Sequence, residues 1–180
     1  MKPLLTIILL SFYLLSYAPN GNFNIDKIIK DIQLQELKTE VYGLVLDEIK
    51  RAEGLELKVY LCPAGHPTIG YGHALLPGET FTEITQEQAD SLLIIDFEKR
   101  LDKLPKEMDW NKRLAIAKFI FNLGIGYYNK SKLKQRILED KPIDDLIVKY
   151  CHYKKNGMYV KSDWLLEQRK FELMIYKIIC

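Results

Sequence analysis

The sequence predicts an α+β fold, mostly helical, in two lobes: a small antiparallel sheet and a larger helical lobe. Three observations carry this expectation. Apolar residues recur at helical spacing through most of the chain beyond residue 25. Only between residues 57 and 73 does the period shorten, with β-branched residues set among glycines and prolines. The 180 residues, 48% apolar and 28% charged, suit one globular domain with a sizeable core and are short for two.

In chain order, residues 1–18 come first and differ in kind. Lys2 is followed by LLTIILLSFYLL, an uncharged apolar run, and then by Ser16-Tyr17-Ala18, with small residues spaced as at a cleavage site. This reads as a signal peptide or, because Pro19 disfavours cleavage, an uncleaved signal anchor. Either way, the remainder is exported to the periplasm or beyond. Residues 19–40 form a linker and an amphipathic helix carrying Ile25, Ile28, Ile29 and Ile32. The main domain spans residues 41–180. Its first helix places Val41, Val45, Ile49 and Ala52 on one face and stops at Gly54, leaving Glu53 in the last turn.

Two strands follow, at residues 58–61 and 68–73, joined by a Cys62-Pro63-Ala64-Gly65 turn. Thr85-Gln86-Glu87-Gln88 is a capping box opening a helix with Ala89, Leu92, Leu93 and Phe97 inward, before Pro105. Asp109 is placed to cap the next helix, whose LAIAKFIF core (114–121) is apolar almost all round and so belongs at the centre of the helical lobe. Further helices are expected at 127–138, 143–151 and 164–179, the last with Phe171, Met174, Ile175 and Ile178 inward. Residues 154–160 read as a loop or short hairpin.

The charges, 26 basic against 24 acidic, are interspersed and leave a net +2, so no field argues for nucleic acid. Three cysteines are an odd set. In an oxidising compartment, Cys151 with Cys180 is the expected pair, because Cys62 sits among residues with chemical potential.

Those residues lie between 53 and 73. Glu53 falls at the seam between a helix and a strand–turn–strand that returns to it. Partial burial there would disfavour the charged form and keep a proton for general acid catalysis. Cys62 and Thr68 draw attention through Glu53 alone. Gly70 and Gly72 are too closely spaced for a dinucleotide fingerprint. Cys62, His66 and His73 lack a second ligand pair for zinc.

Glu-Gly-x-x-Leu-x-x-Tyr followed by a glycine-containing turn and Thr-Ile-Gly-Tyr-Gly-His resembles the phage-type lysozymes, the endolysin muramidases. Similar matches continue through ITQEQADSLLIIDF, FNLGIGYYNKSKL and LLEQRKFELMIY, so the resemblance covers residues 41–176. It implies a lysozyme-like two-lobed fold and cleavage of the β-1,4 bond between N-acetylmuramic acid and N-acetylglucosamine in peptidoglycan. It casts Glu53 as general acid, Thr68 as the residue holding the attacking water, and Cys62 at the position where most members have Asp. Phe121, Asn122 and Tyr128 match cleft-facing, substrate-binding positions, and His73 should pair with Asp96. Trp164 stands where a glycine is usual, and Gln168-Arg169 keeps one of two paired arginines. The thiol at 62 would act as base or nucleophile. Acid–base hydrolysis of this kind needs no cofactor or metal, and a monomer suffices. The alternative, prompted by Cys62, is a non-catalytic peptidoglycan-binding module.

Overall fold

The computed structural model describes residues 25–178. The signal-like run at 1–18, most of the linker and Cys180 lie outside the described residues. The chain divides into two compact units, with the break between Glu40 and Val41. Helix α1 (Ile25–Glu53) crosses that boundary without interruption, so the two helical segments read from the sequence are one. In its first part Ile28, Ile32 and Leu34 are half-buried and the rest is mostly exposed. In its second part Val41, Val45, Leu46 and Ile49 are buried. Gly54, at φ +74°, ends α1 and donates its N–H to the Lys50 carbonyl at 3.1 Å.

A three-stranded antiparallel sheet follows, in the order β1 (Glu56–Leu61), β2 (Pro67–Gly70), β3 (His73–Ala74). Tyr60 pairs with Thr68 and Ile69 with His73. The single strand expected at 68–73 is therefore a hairpin. Gly70 and Gly72 both have positive φ, +66° and +86°, which a residue with a side chain adopts only with strain. A Cβ on Gly70 would also meet the Ala89 Cβ at 3.4 Å, so glycine permits this close sheet–helix approach.

Helix α2 (Gln86–Leu101) opens on the expected capping box: Gln88 N–H donates to Thr85 Oγ1 at 3.3 Å, and Thr85 N–H to Gln88 Oε1 at 2.8 Å. Ala89, Leu93 and Phe97 are buried and Leu92 half-buried. Helix α3 (Trp110–Leu123) is the centre of the core, with residues 114–120 all buried. Asp109 occupies its N-cap position without a side-chain capping bond, so the expected cap is positional only.

The segment expected as one helix at 127–138 is two, α4 (Ile125–Lys130) and α5 (Lys132–Leu138). Ser131 breaks them: its backbone is extended and its Oγ accepts the Lys134 N–H at 3.2 Å, a local alternative to helix continuation. The helix expected at 143–151 shrinks to α6 (Asp144–Ile147), because the chain turns at once into the hairpin β4 (His152–Lys155) and β5 (Met158–Lys161). Asn156 and Gly157, both at positive φ, form its turn. Cys62 and Cys151 are free thiols, and Cys180, the expected partner of Cys151, is outside the described residues.

Helix α7 (Asp163–Tyr176), capped by Ser162, packs on α3 with a face the sequence does not suggest. Met174 is 53% exposed and Phe171 only half-buried, while Gln168, Arg169 and Glu172 are buried. They meet Lys118, itself 2% exposed in the apolar heart of α3. Lys118 Nζ donates to Gln168 Oε1 at 2.5 Å and to Glu172 Oε1 at 3.4 Å. Arg169 Nε lies 3.2 Å from Glu172 Oε2, and its guanidinium stacks 4.8 Å from the Phe119 ring centroid. Gln168 Nε2 donates to Glu48 Oε1 at 2.7 Å, tying α7 to α1.

Removing one partner of a buried charge cluster leaves the others uncompensated. Glu172→Leu should therefore cost about 3–5 kcal/mol in urea unfolding, against about 1 kcal/mol for Thr85→Ala at the α2 cap. Equal losses would contradict the packing described.

Candidate active site

The end of α1 and the β1–β3 sheet bring three sequence-singled residues to one seam. Glu53 is the last residue of α1, Cys62 directly follows β1, and Thr68 lies on β2 opposite Tyr60. Gly72 lies beside Glu53: a Cβ there would stand 3.9 Å from Oε2, in ordinary van der Waals contact. Glu53 is exposed to solvent. The protein atoms around its carboxyl still desolvate it enough to raise its pKa above the ordinary glutamate value. Lys118 and Arg100 pull the other way without prevailing. Such a carboxyl can meet a ligand while holding its proton longer than a fully solvated glutamate.

Cys62 is set in the opposite sense. Its thiol pKa falls below the ordinary value, chiefly through backbone N–H groups of His66 and Ala64, with the Thr68 hydroxyl and Gly65 adding to it. The turn that supplies these donors is closed by Cys62 N–H to the His66 carbonyl at 3.0 Å and Gly65 N–H to the Cys62 carbonyl at 2.7 Å. Thr68 is buried, and its hydroxyl donates to the His66 carbonyl at 2.9 Å. That hydroxyl has one proton, so the His66 carbonyl and a Cys62 thiolate compete for it. The acid is thus shifted toward its protonated form and the thiol toward its anion, which brings the two pKa values closer together than in free side chains.

The remaining expected residues divide. Phe121 is half-buried at the end of α3, with the Arg100 guanidinium 4.3 Å from its ring centroid. Asn122 is half-buried and accepts Arg169 Nη2 at 2.8 Å on its Oδ1, which fixes its amide. Tyr128 is corrected: at 3% exposure it packs edge-on against Phe119 and burial pushes its hydroxyl up to about 12, so it belongs to the core. Its neighbour Tyr127, 52% exposed, is the accessible ring.

His73 is structural, as anticipated, and more fully held than expected. Its Nδ1 lies 2.8 Å from Asp96 Oδ2 and its Nε2 2.9 Å from Glu79 Oε2. Sequence reasoning missed three participants. Glu79 comes from the loop after β3, where only an acid a few residues past a buried histidine could have signalled it. Arg100 acts on Glu53 through its charge and stacks on Phe121, and a basic residue in the last turn of a helix carries no signal of either. Tyr60 lies within reach of the charges of Cys62, Glu56 and Glu53, and desolvation followed by those charges raises its pKa. Among the described residues no group of acids, histidines and cysteines is arranged to hold a metal ion.

With this geometry in hand, the sequence profile of the Phage lysozyme family matches residues 50–172. An endolysin of Acyrthosiphon pisum secondary endosymbiont phage 1 is 34% identical over 143 residues, covering 75% of this chain and 94% of the relative. Among solved structures, the endolysin from Escherichia coli O157:H7 phage FAHEc1 superposes with a TM-score of 0.62 at 30% identity, over 74% of this chain and 90% of that one. The muramidase domain of SpmX from Asticaccaulis excentricus reaches 0.67 over 76% and 96%, and at 24% identity it bears on the fold alone.

His73 supplies a pH test. Desolvation opposes its charge, but the Glu79 and Asp96 carboxylates outweigh it, so its pKa is raised. A raised folded-state pKa contributes stability that is present below the unfolded value near 6.5 and lost as pH rises through the folded value. The His73 ring should titrate above 6.5 by NMR, and Asp96→Asn should lower that midpoint. A midpoint unmoved by the substitution would contradict the pairing.

Proposed function

The chain belongs to the phage lysozyme family of peptidoglycan hydrolases, and on that premise we propose that Glu53 is the general acid, with Cys62 and Thr68 serving the attacking water. The bond cut is the β-1,4 linkage between N-acetylmuramic acid and N-acetylglucosamine. The observation that carries this reading is the opposed bias of one seam's two titrating groups: Glu53 raised by desolvation, Cys62 lowered by hydrogen-bond donors.

In the proposed reaction, protonated Glu53 gives its proton to the glycosidic oxygen as the bond to the anomeric carbon breaks. Positive charge develops on the sugar ring. Thr68, whose proton is directed at the His66 carbonyl, offers its oxygen to one hydrogen of a water. Cys62, as thiolate, takes the other hydrogen while the water oxygen bonds to the anomeric carbon. The proton from Glu53 stays on the released sugar hydroxyl; Cys62 then gives the proton it took from water to solvent, and Glu53 takes one back, which restores both groups. The reactive form has Glu53 protonated and Cys62 ionised, and its population peaks at a pH between the two pKa values. The two shifts bring those conditions closer together than free side chains would.

Phe121 and Asn122 support the sugar from the end of α3. Residues 1–18 support export, cleaved or retained as a membrane tether. Among the described residues, no helix is long and apolar enough to cross a membrane.

Glu53→Gln should abolish clearing of purified cell walls, a loss of at least about a hundredfold as expected for a deleted general acid; retained turnover removes Glu53 from that role. Cys62→Ala should lose most activity and Cys62→Asp should recover it, because a carboxylate is also a base. An alanine variant at full rate would exclude any chemical role for the thiol. NMR of the fresh product should show inversion at the anomeric carbon. Retention would make Cys62 the nucleophile instead.

A further inference from the structure

The β4–β5 hairpin stands away from the fold that carries it. Residues 152–159 are all exposed, the Asn156-Gly157 turn included, and Val160 alone of the two strands is half-buried. Ser162 N–H donates to the Cys151 carbonyl at 2.8 Å and closes the base. Beyond it lies a two-stranded finger about 13 Å long. A hairpin so exposed draws little stability from its own packing.

Its side chains are not those of an idle solvated turn. Directly after Asn156-Gly157, Met158 is 69% and Tyr159 77% exposed, and Trp164, just past the base, is 43% exposed. The charges are of one sign. Residues 146–162 hold four lysines and no acid, whereas the whole chain is only +2, so the rest of it is net acidic. Lys154 and Lys155 pair with no carboxylate among the described residues. Lys149 and Lys161 reach Asp145 and Asp163 only at 3.7 and 4.0 Å, at exposed positions. Lys154 is the register partner of Tyr159, and Lys155 of Met158, so each apolar tip residue has a lysine beside it on its own face.

We infer that the tip of this hairpin docks on an anionic phospholipid surface, with Met158 and Tyr159 entering the headgroup–acyl boundary and Lys154 and Lys155 meeting the phosphates. Charge complementarity argues for an anionic partner, and the tip selects among such partners. A soluble polyanion rewards the lysines but offers nothing to an exposed methionine and tyrosine side by side. At a bilayer interface tyrosine settles at headgroup level, methionine reaches the acyl chains, and lysine stems extend back to the phosphates. A second copy of the chain is a poor occupant: two tips would bring like charges together and bury far less than the roughly 1,200 Å² of a stable interface. Each lysine held near an anionic leaflet strengthens partitioning about fivefold. The export proposed from residues 1–18 carries the domain across a membrane and puts such a leaflet within reach. Docking of this kind does not depend on the chemistry at Glu53.

The test is co-sedimentation of the full chain with vesicles of phosphatidylcholine, alone or mixed with phosphatidylglycerol. The parent should bind the anionic vesicles at least about tenfold better than the neutral ones, and added salt should remove that preference. On anionic vesicles, amide exchange within residues 152–161 should slow, a local signal that insertion of residues 1–18 does not produce. Lys154→Ser/Lys155→Ser should weaken binding about tenfold or more, both to anionic vesicles and to inorganic polyphosphate. Met158→Ser/Tyr159→Ser should weaken vesicle binding about tenfold and leave polyphosphate binding unchanged. The inference is overturned if the parent shows no preference for anionic vesicles, if the hairpin amides exchange equally with and without them, or if either double variant binds them like its parent. Vesicle binding that needs the lysines but not Met158 and Tyr159 would make the hairpin a general polyanion site instead.

Discussion

The buried charge cluster between α1, α3 and α7 is the constraint on which the rest depends. Lys118, Arg169 and Glu172 are all but inaccessible to solvent. A well-packed set of apolar side chains would serve stability as well or better, because desolvating three charges offsets much of their mutual attraction. What the cluster supplies is position. Gln168 connects Lys118 to Glu48, little more than one helical turn before Glu53. Arg169 reaches Asn122 at the far end of α3. One polar assembly therefore sets both the helix end that presents the acid and the helix end proposed to face the sugar. An aliphatic core could slide by a fraction of a turn, but these hydrogen bonds have one register.

The same cations act on the chemistry. Lys118 and Arg100 lower the proton affinity of Glu53 while desolvation raises it, and desolvation wins. The margin matters. Without the cations the carboxyl would hold its proton more tightly; with less desolvation it would ionise more like a surface glutamate. Cys62 is governed locally instead, chiefly by N–H groups of its own turn. His73, clamped between Glu79 and Asp96, holds the sheet to α2 and keeps the seam from opening.

Much of this was legible in the sequence, for stated reasons. The Thr85 capping box, the all-round apolar α3 and the stop at Gly54 are local signals, each with one structural solution. Cys62 and Thr68 flank the turn that the Pro63–Gly65 chemistry signals, in the sheet that follows the helix ending at Glu53. The misreadings share a cause. Periodicity places Met174 inward, but charge pairing turns Arg169 and Glu172 to the core instead, and an apolar count cannot register buried charges of opposite sign that pair there. Lys118 was hidden for the same reason within a run of apolar neighbours. Tyr128 was placed by likeness to relatives, which does not resolve which of two adjacent tyrosines faces solvent. Ser131 read as a helix residue until its hydroxyl capped the next turn.

The central claim is that the seam holds a proton on Glu53 beyond the range of an ordinary glutamate. Carboxyl-detected NMR titration of Glu53 tests it without substrate or turnover. The account predicts a midpoint above 4.5, the ordinary glutamate value, and a further rise when Arg100 is replaced by Met. A midpoint at or below 4.5 would contradict it, because crowding would then fail to outweigh the nearby cations.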